Sequence, residues 1–287
     1  MTADVGRFRK YWQTLTRSEV QRALDRIVDD NRVTIAIVFP VVGAGLLVAS
    51  AEGWVPAPFA FHPIVLLLGV AVMRSPLLIG MLPTVDRRVA RWMAILAVLT
   101  YAIELTGVQT GWLYGSFTYG ISLGPMIAGI PAALPLLFIP LVINAYLLWI
   151  ILLGERGGHL TRILLVVPTV VLLDVVLDPA AVGLGFWEFL EGGEFYDVPL
   201  SNYQGWVVSA TIATVVVEYA FDREQVRRRL HRCSFMLDDL VSFVILWGII
   251  NAWFGHTIPV GVAIVLGLAV LIALLGRGPN GAHSDHW

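Results

Sequence analysis

Residues 160–182 read LTRILLVVPTVVLLDVVLDPAAV, an apolar run of bilayer-spanning length interrupted by Asp174 and Asp178. An ionised Asp at the centre of a bilayer costs roughly 2.5–3.5 kcal/mol, so such residues are rare without a use. The two aspartates are four apart and share one helix face. Glu104 stands in a second apolar run, 90–108. A carboxyl held out of water keeps its proton at neutral pH, which makes all three candidate proton donors.

The whole chain has the composition that such runs require. Of its 287 residues 57% are apolar and 14% charged, against about 25% charged in a soluble domain. Eight apolar runs, at 33–51, 61–82, 90–108, 134–153, 160–182, 205–221, 237–255 and 258–275, predict an all-α polytopic membrane bundle. Eighteen of the nineteen Lys and Arg fall in alternate connections: 1–32, 83–91, 154–162, 222–236 and the tail. The intervening connections carry none, the positive-inside pattern of a protein with both termini in the cytoplasm. This divides the chain into a basic cytoplasmic segment, 1–32, a single transmembrane catalytic domain, 33–275, and a cytoplasmic tail, 276–287, expected to be disordered. No cleavable signal is visible, so the first span is expected to direct insertion. The lone Cys233 forms no internal disulfide and builds no Cys-based metal site.

Two outer connections depart from ordinary linkers. Residues 109–131 read QTGWLYGSFTYGISLGPMIAGIP and residues 183–203 read GLGFWEFLEGGEFYDVPLSNY. Their Trp and Tyr suit the headgroup level, while their glycines suggest tightly folded backbone covered by protein. Depth counting puts Glu104, Asp174 and Asp178 in the central-to-outer half, beneath these loops, together with Asn144, Asn251 and the nineteenth basic residue, Arg74. Each has a plainer reading. Arg74 is expected to neutralise one of the carboxylates. Asp178 precedes Pro179 and could end its helix. Asn144 and Asn251 could be interhelical hydrogen-bonding groups. Glu218, Asp238 and Asp239 lie near cytoplasmic ends, where snorkelling or contact with the arginines of 222–236 accounts for them.

The chain carries no phosphate-binding glycine loop, no His or Cys cluster at metal spacing and no nucleophile elbow. Asp174-x-x-x-Asp178 is reminiscent of the paired acids with which membrane prenyltransferases hold magnesium diphosphate. That chemistry needs a second acidic cluster and basic residues on the same side, and neither is present. A proton-coupled transporter stays open, as does a pigment binder. Acid–base chemistry on a membrane-dissolved isoprenoid fits best. A carboxyl protonates a double bond, aromatic faces stabilise the tertiary cation, and water captures it, with no cofactor and no metal.

The residues that carry this chemistry also form a pattern. It runs Glu104-x-x-Gly107-x-x-Thr110-Gly111-x-x-Tyr114-Gly115-x-Phe117-x-Tyr119, then Gly129-Ile130-Pro131, Asn144-Ala145-Tyr146, Asp174-x-x-Leu177-Asp178-Pro179 and Phe186-Trp187. It closes with Gly193, Tyr196-x-Val198-Pro199 and Asn202-x-x-Gly205-Trp206. The pattern resembles the membrane carotenoid hydratases, the CruF-like carotenoid biosynthesis proteins, with Phe117 where that family has a Tyr. The resemblance implies a hydro-lyase that adds water to terminal double bonds of a long linear carotenoid. Hydration of the fifty-carbon bisanhydrobacterioruberin at both ends, to bacterioruberin, is the favoured reaction. Hydration of a forty-carbon carotene is its sibling. From depth and chemistry, Asp174 or Glu104 is expected to donate the proton and Asp178 or Asn144 to position water. Tyr114, Tyr119, Trp187, Tyr196, Asn202 and Trp206 are expected to line the substrate. The expected partners are the carotenoid, the bilayer of the cell membrane and companion enzymes of pigment synthesis, with no nucleic acid.

Overall fold

The computed structural model describes residues 16–276, so residues 1–15 of the basic segment and residues 277–287 of the tail expected to be disordered lie outside the described residues. Within them the chain is a helix bundle. Helix α1 (Arg17–Asp30) begins at a capping box in which Thr16 and Glu19 satisfy each other's backbone N–H groups. A π-helical turn (Thr34–Val38) leads into α2 (Phe39–Ala51). Next come α3 (Pro63–Met81), α4 (Arg87–Thr110), α5 (Leu134–Leu153) and α6 (His159–Gly183). The remaining helices are α7 (Leu200–Ala220), α8 (Arg223–Arg232), α9 (Asp238–Trp253) and α10 (Thr257–Leu275).

Six of these helical segments are long and apolar enough to cross a membrane, and α7 joined to α8 through an 88° bend makes a seventh. Helix α9, at 16 residues, is shorter than these six spans, which run from 18 to 25 residues. Helix α1 and the surface helix α8 are additions to the sequence reading, which assigns their residues to basic connections. Helix α5 matches its expected bounds, whereas α7 starts five residues earlier than expected. Ser201, Asn202 and Gln204 read as loop because they are polar, but they lie within the first five residues of α7 after Pro199.

Helix α5 is the axis of the bundle. Leu141, Val142, Ala145, Tyr146 and Leu147 are buried on successive faces, and α4, α6 and α7 pack around it. The outward sides of α2, α3, α4 and α10 expose Val41, Leu68, Val98 and Val265, the surface an apolar solvent allows. Pro179 does not end α6. The helix continues to Gly183, and Asn251 Nδ2 donates to the Val176 carbonyl at 2.7 Å. A neighbouring helix thus supplies a donor in the turn that proline weakens, as bundles in lipid commonly do.

The buried ion pairs differ from the expected ones. Arg74 reaches none of the three outer carboxylates; its Nη1 binds both oxygens of Asp239 at 2.9 and 3.0 Å. Asp238 pairs with Arg32 at 2.8 Å, and Glu218 with Arg162, whose side chain is buried. None of these acids bonds to the arginines of 222–236. The reason is packing: Glu218 and Asp239 face into the bundle, where the buried Arg162 and Arg74 meet them, and Glu218 also contacts the exposed His159.

Candidate active site

The two aromatic connections fold on each other. Strand β1 (Phe117–Tyr119) pairs antiparallel with β4 (Trp187–Phe189), in the register Phe117 with Phe189 and Tyr119 with Trp187. A second small pair, β2 (Met126–Ile127) and β3 (Ile130–Pro131), completes the first connection. The two-residue period of a strand turns Phe117, Tyr119, Trp187 and Phe189 to one face, while Thr118 and Glu188 are exposed on the other. Ring centroids 5.7 Å apart for Phe117–Tyr119 and 6.4 Å for Tyr119–Trp187 make this face a continuous aromatic roof.

Tyr114 sets the height of the roof. The left-handed Gly111 (φ 68°) ends α4, and the chain turns back so that the Tyr114 ring slots between α4 and α7. A Cβ on Gly107 would lie 2.8 Å from that ring. One on Gly205 would lie 2.5 Å from it and 2.8 Å from the Leu113 carbonyl oxygen. The Tyr114 hydroxyl hydrogen-bonds Ser209. Gly205→Ala must displace the ring and the backbone carbonyl together, and overpacking of this kind costs about 1–3 kcal/mol. Thermal unfolding of the detergent-solubilised variant is therefore expected to shift downward, and an unchanged midpoint would show that the ring seats elsewhere.

Beneath the roof is a cavity of about 110 Å³ between α4, α5, α6 and α7. Its polar end holds Glu104, Asp178 and Asn202; its apolar wall runs down through Ile103, Leu141 and Ile212. Tyr119 donates a hydrogen bond to Glu104. Burial, with the nearby Glu104 charge, pushes the Tyr119 hydroxyl above its ordinary range, so it remains a donor. Asn202 Nδ2 is shared by the aspartates, reaching Asp174 Oδ2 at 3.2 Å and also bonding Asp178 Oδ2. Asp174 is 0% exposed and Asp178 3%. No Lys or Arg among the described residues pairs with either, so two buried negative charges would face each other uncompensated. A proton held by the pair removes that cost.

Of the ten residues singled out from the sequence, Glu104, Asp178, Tyr114, Tyr119, Trp187, Asn202 and Trp206 line this cavity. Asp174 lies directly behind Asp178 and Asn202. Of the two aspartates it is Asp178, and not Asp174, that lines the cavity. Asn144 is elsewhere, donating to Asp239 Oδ2 at 2.6 Å in the Arg74 cluster. Tyr196 is also outside, its ring centroid 4.6 Å from that of His256. The sequence reading missed Thr100, Phe138 and Ser209. Helical spacing carries the signal for Ser209: 202, 205, 206 and 209 form one stripe on α7.

A multi-pass bundle with a roofed acid pair over an apolar slot is an intramembrane site for an apolar molecule. The comparisons with known proteins agree with that class. Residues 61–270 match the family described as carotenoid biosynthesis protein, and the chain belongs to that family. A bisanhydrobacterioruberin hydratase from Haloarcula japonica is 51% identical over 258 residues, covering 89% of this chain and 88% of the relative. No solved structure matches the chain.

Proposed function

We propose that this protein is a carotenoid hydratase of the cell membrane that converts bisanhydrobacterioruberin to bacterioruberin by adding water to its terminal double bonds. The observation that carries the reading is the proton-holding Asp174–Asp178 pair at the polar end of an apolar slot, in a chain half identical to a hydratase of that name. The slot admits the end of a polyene. A chain near the roughly 30 Å thickness of the hydrocarbon core cannot lie wholly inside it and extends into the surrounding bilayer.

In this reading Asp178 gives its proton to the less substituted carbon of the terminal double bond. The positive charge that forms on the tertiary carbon faces Tyr119, Trp187 and Trp206, an interaction worth on the order of 2 kcal/mol when desolvated. Glu104, held by Tyr119 at the polar end of the slot, offsets the same charge. Water attacks the cation, and the proton it sheds returns to the aspartate pair. The acid is thereby restored with no cofactor. The residues of the two other site assignments fall outside this scheme: Asn144 serves the Arg74 cluster and Tyr196 the outer surface.

The placement of basic residues supports eight spans with both ends of the bundle's chain on the cytoplasmic side, so the slot opens from the outer half. Access to companion enzymes of pigment synthesis then runs through the bilayer. The test is mass spectrometry of membranes containing the protein and supplied with bisanhydrobacterioruberin. The expected result is gains of one and then two waters. Hydration of forty-carbon carotenes alone would move the substrate to the sibling class. Dependence on magnesium and a prenyl diphosphate would indicate a transferase, and retention of unchanged pigment a binder.

A further inference from the structure

The slot is shorter than the molecule it is read to receive, so the remainder of that molecule must leave it somewhere. Asn202 and Ile212, at the two ends of the α7 wall, are about 15 Å apart along the helix axis. Glu104 and Leu96, at the two ends of the α4 wall, are about 12 Å apart. A chain near the roughly 30 Å thickness of the hydrocarbon core keeps about half its length outside.

Most ways out are closed. The roof shuts the outer side, where Phe117 and Phe189 are buried. Leu96 and Leu141 are the deepest lining residues on α4 and α5, and at 1% exposed they shut the foot. Between α4 and the start of α5, the Tyr101 hydroxyl donates to the Pro131 carbonyl at 2.7 Å. The rings of Phe138 on α5 and Trp206 on α7 meet with centroids 5.5 Å apart. Asn202 ties α7 to α6 through the two aspartates. The side that remains is the seam between α4 and α7.

Tyr114 holds that seam apart at its outer end. A Cβ on Gly107 and one on Gly205 would both collide with its ring, so α4 and α7 stand one aromatic ring apart there. At the cytoplasmic end Arg88 Nη2 donates to the Tyr219 carbonyl at 2.7 Å and closes the seam. Leu99 and Ile212 lie between these two points, each near the middle of its helix and so at mid-depth in the bilayer. Among the residues lining the cavity, Ile212 alone is exposed on the molecular surface, at 36%. The wall leading to it is apolar in effect. The Thr100 and Ser209 hydroxyls each donate to the carbonyl one turn back, Leu96 and Gly205, at 2.9 Å.

Resting on the hydratase reading, we infer that the seam between α4 and α7 at Leu99 and Ile212 is a lateral portal through which the substrate's polyene passes into the middle of the bilayer. The reacting end lies in the slot, and the rest of the chain lies among lipid tails. A polyene has no polar atom along its length, so hydrocarbon solvates it equally on both sides of the portal and the passage costs no desolvation. The portal makes Ile212 and Leu99 specificity-determining residues for a long, thin chain behind the terminal double bond. It also separates the two ends of the substrate. Only one fits the slot at a time, so each hydration is a separate binding event.

The experiment narrows the portal and follows hydration of bisanhydrobacterioruberin in membranes as the pigment content of the bilayer is varied. Ile212→Trp is expected to raise KM on the order of tenfold while kcat stays within about twofold, because the portal holds the polyene alike in the ground and transition states. Leu99→Trp narrows the same passage from α4 and is expected to act the same way, so the question survives if one of the two variants fails to accumulate. Val207→Trp adds the same bulk to α7 at a residue that is 46% exposed and outside the cavity lining, and it is expected to keep the wild-type KM. A wild-type KM in both Ile212→Trp and Leu99→Trp overturns the portal and leaves the hydratase reading intact. An equal rise in Val207→Trp also overturns it, tracing the effect to bulk on α7 and not to a passage. A fall in kcat at unchanged KM overturns it too, by placing Ile212 in the reaction. Failure of the wild type to add water to the pigment overturns the hydratase reading and the portal together.

Discussion

Asp178→Asn is expected to reduce hydration by about 10²–10⁴-fold, the range supplied by a positioned general acid, while leaving the protein in the membrane. The amide occupies the same volume and keeps a hydrogen bond with Asn202 available, so the packing of α6 on α7 is retained. It cannot deliver a proton to carbon. The loss corresponds to about 3–5 kcal/mol of transition-state stabilisation. Glu104→Gln serves as the comparison. If Glu104 acts by its charge, as its bond from Tyr119 suggests, removing it weakens cation stabilisation but preserves proton delivery. Its expected loss is nearer tenfold, and in D₂O deuterium still enters the pigment. Conversion is measured per amount of membrane-inserted enzyme with bisanhydrobacterioruberin as substrate. Near-normal conversion by Asp178→Asn together with inactive Glu104→Gln would transfer the proton to Glu104. The aspartate pair would then be left with water alone.

How much of this was legible beforehand depends on the range of the interaction. Local signals read well: the apolar run of α5, broken only by Asn144, gives its bounds, and the four-residue spacing of Asp174 and Asp178 gives their shared face. The loops were legible in kind, since glycines among aromatics require a covered backbone. Which rings meet was not legible, because the Tyr119–Trp187 register joins residues 68 positions apart through strands of three residues. Partner choice among buried charges failed for the same reason. Depth counting places Arg74 and the outer acids in one broad layer, but only packing decides that Arg74 faces α9. Asn144 goes with Arg74: its depth is compatible with the outer acids, and its direction is toward Asp239. The order of the two aspartates, one on the cavity and one behind, comes from the rotation of α6 against α7, which sequence spacing alone leaves free.

Arg74, Asp239 and Asn144 provide the largest expected effect on stability. Arg74→Met leaves Asp239, 0% exposed, without the cation that binds both its oxygens, and breaking a buried pair from one side costs about 3–5 kcal/mol. Membrane-inserted protein should fall sharply, and the midpoint of thermal unfolding in detergent should drop with it. The cost lies in the stranded charge, so removing the charge should recover most of it. Replacing the cluster as a unit, Arg74→Met with Asp239→Leu and Asn144→Leu, leaves no polar group unmatched. Such replacements are often neutral or stabilising by about 1–4 kcal/mol. The Leu137 carbonyl, which Arg74 Nη2 approaches at 3.4 Å, loses only a long contact. The triple variant also separates structure from chemistry. The cluster lies outside the cavity lining, so a stable triple variant should still hydrate bisanhydrobacterioruberin. A stable variant that binds the pigment but adds no water would return Asn144 or its neighbours to the reaction. It would mean that the buried charge network sets the protonation of the aspartate pair from a distance.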